Sequence, residues 1–267
     1  MSQNSSRISQ ELPADESVSQ PRRVSSRKWW LIIALPAWVF GSFIVAQLLA
    51  AGLLWVLHAV GVPLGSLNES VLNSIFAVVI YGLTLALVIG LPWLIKKRRI
   101  SRIDLGIGRL PNWTDIWMTP IAVVVYFILS SILILAATTF LPWFDVGQAQ
   151  DTGFNGLSQR YEYILAFITL VILAPIAEEV LFRGYLFGQL KKYIPVWIAV
   201  LVTSLLFGAV HGAWNLAFDT FALSIILCLL RLSTGSIWAP ILVHMTKNAI
   251  AFYILFINPM LLNTLGG

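Results

Sequence analysis

Charge is scarce in this sequence. Of 267 residues only 11% are charged and three are histidine. An average soluble domain is about one quarter charged. With 58% hydrophobic residues and a mean hydropathy of +0.85, the shortage excludes a disordered chain and an ordinary cytosolic enzyme. Cysteine is nearly absent too. The single Cys228 lies in an apolar run and has no partner for an internal disulfide, so a disulfide-stapled secreted domain is excluded. Long apolar runs fill the chain instead. They predict an all-α, polytopic transmembrane helical bundle, because backbone in lipid must satisfy its own hydrogen bonds.

Residues 1–28 carry eight Ser and several charges without apolar periodicity, and read as a disordered polar tail. The tail is too long and the next apolar run too extended for a signal peptide. Apolar stretches follow at 29–58, 71–95, 116–142, 161–190, 194–211, 216–231 and 237–257. A span needs about 20 residues. The first four and the last meet that length, and the fifth and sixth are short. About seven spans are expected, with residues 100–115 as a short amphipathic helix at the interface. Trp29, Trp30, Trp93, Trp113, Trp117, Trp143 and Trp197 fall near predicted ends, as interfacial anchors do.

Bases mark one side. Arg22, Arg23, Arg27 and Lys28 precede the first span, and Lys96 to Arg99 follow the second. Lys191 and Lys192 follow the fourth, and Arg231 the sixth. The loops at 59–70 and 143–160 are acidic. The alternation predicts a cytoplasmic N-terminus in a multi-pass plasma (inner) membrane protein. The lipid bilayer is the expected environment, and nothing points to nucleic acid. Oligomeric state is not legible.

Ionisable groups inside spans are costly and mark function. Glu178 and Glu179 sit together mid-span. Glu179 and Arg183 are four apart, share a helix face and form the expected ion pair. Glu178 is rotated by about 100° from Glu179, so it faces a cavity as a candidate general base and acid. Pro175 is expected to kink this helix and admit water. Phe207 and His211 are four apart in the fifth span, as are His244 and Asn248 in the seventh. Asp219 and Lys247 suggest a structural or gating pair. Arg231 is expected to snorkel inward and His58 to be interfacial.

Glu178-Glu179-x-x-x-Arg183, Phe207-x-x-x-His211 and His244-x-x-x-Asn248, in that order, resemble the CPBP intramembrane proteases. That family includes the Rce1-type CAAX prenyl endopeptidase and bacterial members linked to bacteriocin processing and immunity (the Abi group). The resemblance covers roughly residues 160–257. It divides the chain into the tail at 1–28, accessory spans at 29–158 and a catalytic core at 159–267. It implies an intramembrane endopeptidase acting on a membrane-associated peptide or protein. Glu178 and His211 would orient and deprotonate a water. His244 and Asn248 would stabilise the oxyanion, or His244 would help hold the centre. Glu179, Arg183 and Phe207 would support them. A divalent metal, zinc, is an option in this family. Its ligands would be Glu178, His211 and His244, but the His-Glu-x-x-His signature is absent, and a glutamate-type, metal-free mechanism is preferred.

Two alternatives stand beside this reading: a non-catalytic immunity or scaffold protein of the same fold, and a proton-coupled transporter. The absence of an internal repeat disfavours the second. One geometric tension arises from the span map. Counted at about 1.5 Å per residue from the basic side, Glu178 lies about 20 Å deep, His211 about 25 Å and His244 about 10 Å. A single site requires these depths to agree.

Overall fold

The computed structural model describes residues 28–97, 99–148, 152–154 and 156–261. The expected polar tail, with Arg22, Arg23 and Arg27, lies outside the described residues, as does Arg98. Among the described residues, besides a 3-10 turn at Leu64–Ser66, are eight helices: α1 Leu31–Ala59, α2 Glu69–Ile95, α3 Arg102–Leu105, α4 Trp113–Phe140, α5 Arg160–Leu190, α6 Val196–Ala209, α7 Trp214–Thr234 and α8 Trp238–Ile257. Six are long and apolar enough to cross a membrane. The fifth expected span, α6, has only 14 residues. It rises about 21 Å, short of the roughly 30 Å hydrocarbon layer. The chain is a multi-pass membrane protein. The seven tryptophans expected at helix ends are all exposed.

Local chemistry sets the helix starts. Asn68 caps α2 by accepting from Ser70 and Val71 N–H. Asn112 and Asp115 close a reciprocal capping box at the start of α4. Glu162 accepts from Gln159 N–H at 2.8 Å and Ser158 N–H at 2.6 Å at the start of α5, and from Asn68 Nδ2 at 2.6 Å. This last bond ties α2 to α5.

The connector before α4 does more than lie at an interface. Ile103 and Leu110 are exposed, as an interfacial piece requires, but Leu105 is buried in the main core. Gly184 and Gly188 make the notch that receives it. A Cβ there would stand 3.0 Å from Leu105 O and 3.2 Å from Asp104 O. Gly106, at φ +79°, ends α3 and offers its carbonyl to Ile237 N–H at 3.1 Å and Ser236 Oγ at 2.9 Å. Trp238 Nε1 donates to Arg109 O at 2.7 Å. Arg231 does not snorkel. It is 3% exposed and donates from Nη2 to Asp104 O at 3.0 Å, because the connector brings an acceptor to it. Lys192, 2.7 Å from the Asp104 carboxylate, holds that acid below the usual range. The connector is thus a layer beneath α8, and α8 starts inside the bundle rather than at its basic end.

The opposite side is recessed as well. Asp219 Oδ1 accepts from Tyr126 OH at 2.5 Å and Ser130 Oγ at 2.6 Å. Asp219 is about 8 Å below Trp214 along α7, and Ser130 about 15 Å below Phe140 along α4. The α6–α7 hairpin tip therefore sits roughly 7 Å below the end of α4. The loop after α4 folds over it: Trp143 packs edge-on against Trp214, and Asn215 Nδ2 donates to Val146 O and Gln148 O. The recess at α8 sets His244 deeper than the count from sequence gives, at the level of Glu178.

The hairpin itself depends on Gly208. A Cβ there would lie 2.7 Å from Ala217 O, a backbone atom, and 3.3 Å from Phe221 Cβ. Gly208→Val should therefore force α6 from α7 and cost about 3 kcal/mol, the upper part of the overpacking range. Thermal unfolding in detergent micelles checks this, and an unchanged midpoint would contradict the close helix contact.

Candidate active site

α5 is irregular where the site requires it. It widens into π turns at Ile168–Leu173 and Val180–Leu186, flanking Ala174–Glu179. Such turns concentrate at functional sites. Pro175 has no N–H, so in the wider register the Leu170 carbonyl loses its donor within the helix. Asn248 replaces it, donating from Nδ2 to Leu170 O at 2.8 Å. The proline expected to loosen the helix thus creates the acceptor that anchors α8 beside the diacid.

Glu179 is fully buried. Its Oε1 accepts from Arg183 Nη1 at 2.8 Å and lies 2.8 Å from His244 Nδ1. The expected Glu179–Arg183 pair is present, and the imidazole is an addition that helix periodicity does not reveal. The Arg183 guanidinium also covers the Phe207 ring, 4.3 Å from its centroid. Phe207 meets Phe182, His211 and His244 edge-on, with centroids 4.9, 4.9 and 5.7 Å away. It is the apolar hub that spaces both imidazoles.

Glu178 points elsewhere, as its rotation along the helix requires. Its Oε1 accepts from Tyr81 OH at 2.5 Å, and its Oε2 lies 3.8 Å from His244 Nε2. His244 thus stands between the two acids. Glu179 accepts from Nδ1, so Nε2 is the ring nitrogen turned toward Glu178. α6 ends at Ala209, so His211 lies past the helix, in the turn completed by Gly212 at φ +79°. It does not extend a helical face with Phe207, but its Nδ1 returns to Phe207 O at 2.6 Å.

One cavity of about 340 Å³ joins these groups. Glu178, His211, His244 and Asn248 all line it, with Tyr81 and Lys247. Val39, Phe40 and Phe43 of α1 and Phe252, Leu255 and Phe256 of α8 form apolar walls. At roughly 30 Å³ per liquid water, that volume holds on the order of ten waters or a short peptide segment. Lys247 Nζ is 3.3 Å from Asp219 Oδ2, so the expected pair forms, and Tyr126 and Ser130 complete the acid's partners. His58 is exposed near the end of α1.

Among the described residues, no three His, Cys, Asp or Glu side chains gather closely enough to hold one metal ion. Both Nδ1 atoms are engaged, by the Glu179 carboxylate and the Phe207 carbonyl, which leaves Nε2 as the other nitrogen of each ring.

Residues 160–250 match the Rce1-like family of type II CAAX prenyl endopeptidases. All seven expected site residues fall within that stretch. Relatives include an uncharacterised 24.3 kDa protein of Escherichia coli, 29% identical over 167 residues, covering 59% of this chain and 71% of the relative. YpbD of Bacillus subtilis is 32% identical over 123 residues, covering 45% of this chain and 61% of the relative. The membrane-embedded CAAX protease MroQ of Staphylococcus aureus is 29% identical over 94 residues, covering 33% and 38%. No solved structure matches. Tyr81 lies outside the matched residues 160–250. It is one of seven tyrosines with no motif spacing to the acids, so sequence reasoning had no signal for it.

Proposed function

We propose that this chain is an intramembrane endopeptidase of the glutamate type, hydrolysing a peptide bond of a membrane-associated peptide or protein. The observation that carries the reading is the gap between Glu178 Oε2 and His244 Nε2. The two atoms stand 3.8 Å apart on the wall of one cavity. That separation is longer than a hydrogen bond, and one bridging group can bond to both atoms. A water at about 2.8 Å from each would subtend an angle near 86°, within reach of its two O–H bonds.

In this mechanism the water oxygen attacks the scissile carbonyl while Glu178 takes one of its protons. His244 holds the second O–H and so aims the lone pair. Glu179 stabilises any positive charge that His244 acquires, as an acid does behind an imidazole. Asn248 keeps one N–H beyond its bond to Leu170, and that donor serves the developing oxyanion. Collapse of the intermediate breaks the C–N bond. The proton held by Glu178, or one passed through His211 Nε2, goes to the leaving amine, and the products are a carboxylic acid and an amine, which exchange the remaining proton to become carboxylate and ammonium. Phe207 and Arg183 keep the imidazoles in place. The same reading places the basic end of the bundle, and the N-terminus, on the cytoplasmic side of a plasma (inner) membrane.

The test is comparative peptide profiling of membranes that carry the wild type or Glu178→Gln at equal abundance. At least one peptide should appear only with the wild type. Identical profiles, with the cellular phenotype retained, would favour a scaffold or immunity protein. Solute flux into sealed vesicles without a cleaved product would favour a transporter.

A further inference from the structure

We infer that Tyr81 of α2 is a positioning residue for the hydrolytic site, holding Glu178 so that Oε2 alone is free to take the proton. The inference rests on the hydrolase reading and adds a residue from outside the matched core. The Tyr81 hydroxyl donates to Glu178 Oε1 at 2.5 Å, and both side chains line the cavity. A bond from a neutral hydroxyl to an ionised oxygen is short and strong. Oε1 is thereby occupied, and Oε2 is the oxygen turned toward His244 Nε2. Without that bond the carboxylate rotates freely about its terminal torsion, which is broad for Glu.

The element that carries Tyr81 is firmly registered against α5. Asn68 Nδ2 donates to Glu162 Oε1 at 2.6 Å, and Thr169 Oγ1 donates to Ser74 Oγ at 3.1 Å. Tyr81–Glu178 is the third tie along the same seam. From Ser74 to Tyr81 is about 10 Å of helix, and from Thr169 to Glu178 about 13 Å, so one pair of adjacent faces carries all three. α2 is therefore built to place a hydroxyl at this depth, and a phenylalanine would fill the space without making the bond.

Tyr81→Phe tests the role through two readouts. The first is infrared spectroscopy of the purified full-length protein in lipid nanodiscs. Subtracting Glu178→Gln from wild type isolates the carboxylate stretch of Glu178. The same subtraction in a Tyr81→Phe background should place that band at a different frequency. The second is kinetics on the peptide that separates wild type from Glu178→Gln, synthesised with a fluorophore and quencher. There kcat should fall about tenfold with KM within about twofold, the signature of an interaction that matters in the transition state. An unmoved band overturns the tie. A moved band with unchanged kcat, or a loss confined to KM, overturns the positioning role. If Tyr81→Phe does not fold, a difluorotyrosine at position 81 keeps the shape and strengthens the donor. It should still move the Glu178 band, and an unmoved band overturns the inference. If no peptide separates wild type from Glu178→Gln, the hydrolase reading fails and the positioning role falls with it. The infrared shift then reports on the Tyr81–Glu178 bond alone, so the two failures remain distinguishable.

Discussion

Glu178→Gln lowers the rate of peptide cleavage about a thousandfold, within the range expected when a general base is removed. The substitution keeps the shape of the side chain. The amide carbonyl still accepts from Tyr81, so the α2–α5 seam is preserved. What disappears is the capacity of the oxygen facing His244 to take a proton. The thermal midpoint should therefore stay within about 2 °C of the wild type, since no buried bond is lost. A large fall in stability, or retention of more than about a tenth of the rate, would show that Glu178 is structural. Measuring both quantities on one preparation separates the two roles.

Arg183→Met has the second large effect, and it acts on stability. Arg183 and Glu179 are both fully buried, and the guanidinium donates to the same carboxylate oxygen that holds His244. Removing one member of a buried pair leaves the other uncompensated, at a cost of about 3–5 kcal/mol. The loss of the guanidinium over the Phe207 ring adds to it. The companion substitution Glu179→Gln removes the orphaned charge while its carbonyl still accepts from His244. The double variant Glu179→Gln/Arg183→Met should therefore be more stable than Arg183→Met alone. Urea or thermal unfolding of the two proteins checks the order, and the reverse order would contradict the pair's role as a buried clamp.

The bundle is largely legible in the sequence because lipid imposes one rule on the backbone, and long apolar runs obey it. The helix bounds observed fall within a few residues of those expected. The site is legible because so few polar groups interrupt those runs: Glu178, Glu179, Arg183, His211, His244 and Asn248 are conspicuous against their neighbours. Periodicity within one helix also finds the Glu179–Arg183 pair. It cannot find contacts between helices. Tyr81 meets Glu178 across 97 residues, and His244 meets Glu179 across 65, and neither spacing encodes the approach. The depth mismatch has the same origin. Counting residues from a basic loop assumes that each helix starts at the membrane surface, whereas α8 starts above the connector that Gly184 and Gly188 admit. Arg231 departs from its expected place for that reason too, since its acceptor comes from residue 104, far away in sequence.

The central claim is spatial: Glu178 and His244 share a water within a cavity that His211 and Asn248 also line. An experimental structure of the full chain in a lipid nanodisc, at a resolution that shows ordered water, measures it directly. The expected result is Glu178 Oε2 within about 4 Å of His244 Nε2, with solvent density bonded to both. A separation beyond about 6 Å, which no single water bridges, would contradict the account.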